Sequence, residues 1–168
     1  VVISLVTGLA FRKKFFGSNL LFYTTVASLI VPSILVSLGI GLIFNIMGWE
    51  VSWTTSGLGA HLTWTLPFGF LIMIAVFNRF DKSYEEAARD LGASNWQTIR
   101  HVVLPIIGPS LIGVALFGFT LSYDEFARTL MTSGVKNTLP LEIFGMTTNV
   151  TTPTPVSYTH LTLPTMFE

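Results

Sequence analysis

The side chains able to do chemistry in this chain are few, and they sit at the edges of long apolar runs. Asp124 and Glu125 are adjacent carboxylates just beyond Tyr123, where one such run ends. A pair of acids there could draw a cationic solute towards a pore, or could belong to an ordinary interfacial turn. His61 stands with Thr63 and Thr65 inside another run. An imidazole at that place could contact a solute or hydrogen-bond to a neighbouring helix. No G-x-x-x-x-G-K-[ST] loop occurs, so the chain should neither bind nor hydrolyse ATP. No G-x-S-x-G or other nucleophile–base constellation appears in the apolar runs. His61, His101 and His160 lack metal-ligand spacing, and there is no cysteine for thiolate or disulfide chemistry. No cofactor is implied. The zero net charge gives no pull towards nucleic acid. Work done by such a chain must draw its energy from a partner.

The elements that position these groups are membrane spans. Of 168 residues, 51% are hydrophobic and 11% charged, against about 25% charged in a soluble domain. Residues 15–49, 51–78 and 101–123 hold no Asp, Glu, Lys or Arg. Spanning a bilayer takes roughly 20 apolar residues, and 20–47, 58–77 and 106–123 meet or approach that length. The expectation is an all-α, polytopic membrane protein with the lipid bilayer as its solvent. Ser33, Ser37 and Gly41 recur every four residues, a stripe that would let a neighbouring helix approach. Pro32 and Pro67 fall inside the first two runs and should kink them. Gly108, Gly113 and Gly118 thin the third.

Between the second and third runs lies the only long polar stretch, SYEEAARDLGASNWQTIRHVVLP at 83–105. Ser83 and Glu86 have capping-box spacing, and so do Ser94 and Gln97. Tyr84, Ala87, Ala88 and Leu91 fall on one helical face, with Glu85, Glu86, Arg89 and Asp90 opposite. Gly92 stands where a left-handed C-terminal cap is expected. Trp96, Ile99 and Val103 form a second apolar stripe, and Pro105 opens the next run. The segment predicts two short amphipathic helices outside the bilayer, a shape for docking a partner protein; the plainer alternative is a hairpin lying on the membrane surface.

This stretch resembles the EAA loop of permease subunits of ABC importers. The family pattern is EAA, three residues, G, nine residues, then I-x-L-P. The chain has Glu86-Ala87-Ala88, Gly92 and Val102-x-Leu104-Pro105 at that spacing, with valine in place of isoleucine. Residues 60–68, AHLTWTLPF, are similar to the helix before the loop in spermidine/putrescine-type permeases. Residues 119–126, FTLSYDEF, resemble that branch's F-T-L-S-x-D-[DE] segment, and 138–144, TLPLEIF, its T-L-P-x-x-I-[YF].

The resemblance implies a type I importer permease-like helical bundle over residues 1–153, with the EAA loop at about 81–104. It implies that Glu85, Glu86, Ala87, Ala88, Asp90, Leu91, Gly92, Ala93, Leu104 and Pro105 form the loop coupling to a separate ATPase. His61, Ser122, Asp124 and Glu125 become candidates for the solute pathway. The implied partners are a cytoplasmic ABC ATPase dimer, a second and related permease subunit, and a periplasmic solute-binding protein. The solute would be a small organic molecule, polyamine-like or related, and the location the bacterial inner membrane. A non-transporting scaffold that recruits a cytosolic protein through the same loop is the alternative. An intramembrane enzyme is disfavoured by the missing catalytic constellation.

Charge supplies an orientation without the resemblance. Arg12, Lys13, Lys14, Arg79, Lys82, Arg89 and Arg100 are seven of the nine Lys and Arg residues. They fall in two loops on one side if 20–47 and 58–77 both span, and the positive-inside rule makes that side cytoplasmic. The loop at 48–56, with Glu50, Trp49 and Trp53, then faces outward, as does 124–152. Val1 is not Met and 1–11 reads as the tail of a helix already under way, so the N-terminus is expected to be a cut. Residues 154–168 are polar and proline-broken where the resemblance implies a last span, and read as a non-native or divergent tail.

Overall fold

A computed structural model describes residues 1–149. All the regular structure among them is helical: α1 (Val2–Phe11), α2 (Ser18–Ser28), α3 (Ser33–Ile46), α4 (Leu58–Arg79), α5 (Ser83–Asp90), α6 (Asn95–Thr98), α7 (Leu104–Tyr123) and α8 (Leu139–Asn149). Five-residue π-helical turns, Trp53–Gly57 and Ile99–Val103, lead into α4 and α7. Two continuous helical stretches, Trp53–Arg79 and Asn95–Tyr123, are long and apolar enough to cross a membrane. The expected tail at 154–168 lies outside the described residues.

Three expectations change here. Residues 20–47 are not one helix: α2 ends at Ser28 and α3 begins at Ser33, with Pro32 in the N-cap position at φ −56°, ψ 132°. Proline forbids the helical hydrogen bond and pushes its predecessor out of the helical region, so the chain breaks where a kink was expected. The third span starts earlier than 106, because α6 and the π turn run without interruption into α7. The segment 124–152 is not simply a loop, since Pro140 sits in the first turn of α8, where its missing N–H costs nothing.

The chain divides into two compact units. The first contains Val1–Val31 and Leu62–Ser122. Its core is Met73 and Phe77 of α4, Val103 before α7, and Ile107 and Val114 within α7, with Leu5 and Leu9 of α1 against them. Ser4 and Gly8, one turn apart, let α1 lie tight on α4. A Cβ on Gly8 would sit 2.8 Å from that of Met73, and one on Gly69 would collide with the Ser4 hydroxyl. Pro67 and Pro109 lie inside α4 and α7. Thr24, Thr25 and Thr120 each donate to the carbonyl four residues back, at 2.8–3.0 Å. Hydroxyls bonded within their own helix can face lipid without an unpaired polar group.

The second unit contains Pro32–His61 and the described residues from Tyr123 onwards. The Ser33–Ser37–Gly41 stripe does receive a close neighbour, but it is a loop and not a helix. Met131 N donates to Ser37 Oγ at 3.1 Å, and a Cβ on Gly41 would stand 2.9 Å from the Met131 carbonyl oxygen. Ser56 Oγ donates to the Thr132 carbonyl at 2.8 Å. Gly134, at φ +67°, lies against the Val51 carbonyl, so the loops at 48–56 and 124–134 meet. Both were expected on one side of the membrane.

Candidate functional site

The polar stretch folds as a helical hairpin, with α5 packed on α6 and the following π turn. Its start differs from the capping box expected at Ser83 and Glu86. Ser83 is already in the first turn; the Ser83 N–H donates to Asp81 Oδ1 at 2.9 Å, so the acid two residues earlier satisfies the helix end. This bond holds the Asp81 carboxyl below its ordinary value. The second capping box forms as the spacing predicts: Ser94 N–H donates to Gln97 Oε1 at 2.8 Å and Gln97 N–H to Ser94 Oγ at 3.4 Å.

Gly92 ends α5 at φ +86°. The Gly92 N–H donates to the Arg89 carbonyl at 2.8 Å and the Ala93 N–H to the Ala88 carbonyl at 3.0 Å. Those two bonds are the Schellman arrangement, which needs a left-handed residue at the turn. No atom lies within 4 Å of a Cβ built on Gly92, so backbone conformation alone demands glycine.

One residue of α5 departs from the simple amphipathic reading. Glu85, assigned to the polar face, is buried at 8% exposure. Its Oε1 pairs with Arg12 Nη1 at 2.5 Å, and Oε2 lies 3.4 Å from Arg89 Nη2. The Arg12 guanidinium also stacks on two rings of α4 and its C-terminal end, 5.2 Å from the Phe77 centroid and 5.5 Å from that of Phe80. Arg12 was counted in the sequence only as a topogenic charge, and no local spacing links it to a residue 73 positions away. The apolar stripe of α5 faces out, with Tyr84 53% exposed and Leu91 90%, and Trp96 of the second stripe stands 65% exposed. Glu86, Ala87 and Asp90 are exposed beside it, and Ala88 and Ala93 are partly covered.

The second stripe does not hold together. Trp96 is exposed while Val103 is fully buried, because the π turn adds a residue between them. Leu104 packs partly against the core and Pro105 is exposed, both in the first turn of α7, so they anchor the hairpin without belonging to its outward face. The ion pair between Arg12 and Glu85 places the basic residues at 12–14 at the same end of this unit as the hairpin, the arrangement the charge pattern required.

The solute-pathway candidates lie elsewhere. Ser122 is partly buried in the last turn of α7. In the second unit, His61 Nε2 is 3.0 Å from Thr129 Oγ1. Thr129 Oγ1 donates to the Glu125 carbonyl at 2.5 Å, which uses the hydroxyl's single proton, so the imidazole must donate through Nε2. Glu125 Oε1 accepts from the Arg128 N–H at 3.0 Å, and Oε2 lies 3.9 Å from Arg128 Nε. Burial lowers the pKa of the Arg128 guanidinium and the Glu125 carboxylate opposes that shift. Asp124 is exposed. The two adjacent acids are therefore inequivalent, one folded into the loop and one open to solution.

A profile of the family described as "binding-protein-dependent transport system inner membrane component" matches residues 1–167. The chain belongs to that family. Relatives within reach of this permease sequence include the spermidine/putrescine transport system permease protein PotC of Haemophilus influenzae, 33% identical over 144 residues, covering 85% of the chain and 54% of the relative. PotC of Escherichia coli is 32% identical over 140 residues, covering 81% and 50%. The putrescine transport system permease protein PotI of E. coli is 31% identical over 138 residues, covering 79% and 49%. The chain thus spans about half the length of the curated relatives it matches. Its family is one of transport permeases, not of catalysts, and its setting is the membrane.

Proposed function

We propose that this chain is part of the transmembrane permease subunit of an ATP-driven importer, contributing helices to the path of a small organic solute, polyamine-like or related. The observation that carries this is the outward apolar face of the hairpin at 83–98, built on a positive-φ glycine and held by a buried ion pair. Covering a side chain such as Leu91 would contribute about 1.5–3 kcal/mol, which favours a protein partner fitted to that face. The partner is a cytoplasmic ABC ATPase dimer, the sole site of ATP hydrolysis. Closure of that dimer moves the hairpin, and the hairpin moves the spans. A second, related permease subunit completes the path, and a periplasmic binding protein delivers solute. The membrane is the bacterial inner membrane, with the hairpin in the cytoplasm.

Thiol labelling tests orientation and docking together: these 168 residues hold no cysteine, and any elsewhere in the full-length subunit is first replaced by serine. In the full-length subunit, Glu50→Cys is expected to react with an impermeant reagent in intact cells. Asp90→Cys should react only after permeabilisation, and should be protected when the ATPase is co-expressed. A reversed pattern would overturn the orientation; labelling of Asp90→Cys unaffected by the ATPase would leave the hairpin a scaffold or a membrane-surface element.

The inequivalence of the acids gives a second test. Asp124→Asn is expected to reduce uptake of a cationic solute at low ionic strength, by a few-fold, without loss of assembly. The deficit should close as salt rises, since a charge in a watery vestibule is screened over about 8–10 Å near physiological ionic strength. Glu125→Gln removes the charge beside buried Arg128 and should lower protein yield at every salt concentration. Unchanged uptake in Asp124→Asn at low salt would reduce Asp124 to a turn residue.

A further inference from the structure

In the first unit a cavity of about 300 Å³ opens where α1 and α4 end and α2 begins. Its floor is apolar and aromatic, with Phe11, Phe22 and the buried Phe77. Arg12, Lys13, Lys14 and Lys82 stand around it. Arg12 is engaged by Glu85, whereas among the described residues no acid lies within ion-pair distance of the three lysines. The N-terminus of α2 opens beside the same space: Ser18 and Asn19 line it, and the cap residue Gly17, at φ +86°, offers no side chain to satisfy the first-turn N–H groups. Next to the lysines, Phe15 is 39% exposed and Phe16 wholly so. Exposed apolar rings beside lysines suit the boundary between acyl chains and headgroups.

We infer that this cavity binds the headgroup of an anionic phospholipid, with the phosphate among Lys13, Lys14 and Lys82 and an acyl chain along the aromatic floor. Three lysines outside ion-pair distance of any described acid, of which Lys13 and Lys82 also border a neighbouring cavity with Glu85 and Glu86, and a helix N-terminus favour negative charge. A free phosphate would be served by the charges alone. The apolar floor has a use only if the ligand has an apolar portion. The site touches the hairpin through Arg12, which lines the cavity and also pairs with Glu85. It is distinct from the solute candidates, and it rests on the membrane setting and not on the ATPase.

Native mass spectrometry of the full-length subunit, delipidated in detergent and titrated with phosphatidylglycerol or phosphatidylcholine, tests the inference. Wild type should retain phosphatidylglycerol at least tenfold better than phosphatidylcholine. The triple variant Lys13→Gln, Lys14→Gln, Lys82→Gln should lose that preference. The corresponding triple arginine variant and Lys136→Gln should keep it. The glutamine changes fall on exposed side chains, so folding should be unaffected, which the melting temperature checks. Equal retention of both lipids by wild type, or full preference in the glutamine variant, would overturn the site. Displacement of the lipid by millimolar inorganic phosphate would show a phosphate site and overturn the lipid assignment.

Discussion

Replacing Gly92 with valine is expected to abolish solute-stimulated ATP hydrolysis by the assembled transporter while the subunit still inserts. The residue holds φ +86° at the end of α5, and both Schellman bonds depend on that conformation. A β-branched residue forced there costs about 1–3 kcal/mol. Each 1.4 kcal/mol is a tenfold shift, so the native turn would be disfavoured by about one to two orders of magnitude. No atom stands within 4 Å of the added Cβ in the chain itself. The penalty should therefore follow backbone tolerance and not side-chain size: valine worst, alanine intermediate, asparagine mildest, because asparagine enters the left-handed region more readily. The measurement is ATPase activity and co-purification of the ATPase with each variant. Wild-type transport by the valine variant would make Gly92 an ordinary loop residue. Asparagine as harmful as valine would shift the cause to a side chain on the partner.

Arg12→Leu should release α5 from the rest of its unit. The ion pair to Glu85 is largely withdrawn from water, with the two side chains 16% and 11% exposed. Removing one member of a buried pair leaves the other charge uncompensated and costs about 3 kcal/mol. Arg89 is a poor substitute at 3.4 Å, because its own side chain is 54% exposed. Arg12→Lys should fail in part as well, since a compact ammonium does not reproduce the planar guanidinium that lies over Phe77 and Phe80 while pairing with Glu85. A double-mutant cycle with Glu85→Leu, read by thermal unfolding of the full-length subunit and by hydrogen exchange at 83–90, tests the pairing. The double variant should recover most of the loss, because an apolar pair can replace a buried ionic one. Strictly additive losses would mean that the two residues are uncoupled.

Much of the local chemistry was legible in the sequence, although the cap of α5 falls to Asp81 and not to Ser83. The Ser94 capping box, the left-handed Gly92 and the run of α4 all depend on neighbours within a turn. Most of what escaped depends on distant partners. The Ser33–Gly41 stripe announced a close approach, but small residues do not say whether a helix or a loop arrives; here Met131 does. Amphipathic spacing identified both faces of α5, yet it could not show that one residue of the polar face, Glu85, is drawn in by Arg12. Hydropathy could not separate α2 from α3 either, since the residues around the break are as apolar as those in the helices. For the solute candidates, the sequence favours Asp124 over Glu125 only by its place nearer the span and by the resemblance, without showing what holds either acid. The buried Arg128 and the hydroxyl of Thr129 distinguish them.

The π turn at Ile99–Val103 carries one more residue than an α-helical turn would need. Successive residues of an α-helix advance by about 100° around the axis, so that extra residue sets the azimuth at which the hairpin leaves α7. The hairpin is aimed by counting. Substitutions along 99–103 leave the count intact, whereas deleting one residue would swing Leu91 and Trp96 through more than a quarter of a circle. At its exposed positions, Arg100 and His101, this stretch should therefore tolerate changes of side chain far better than changes of length.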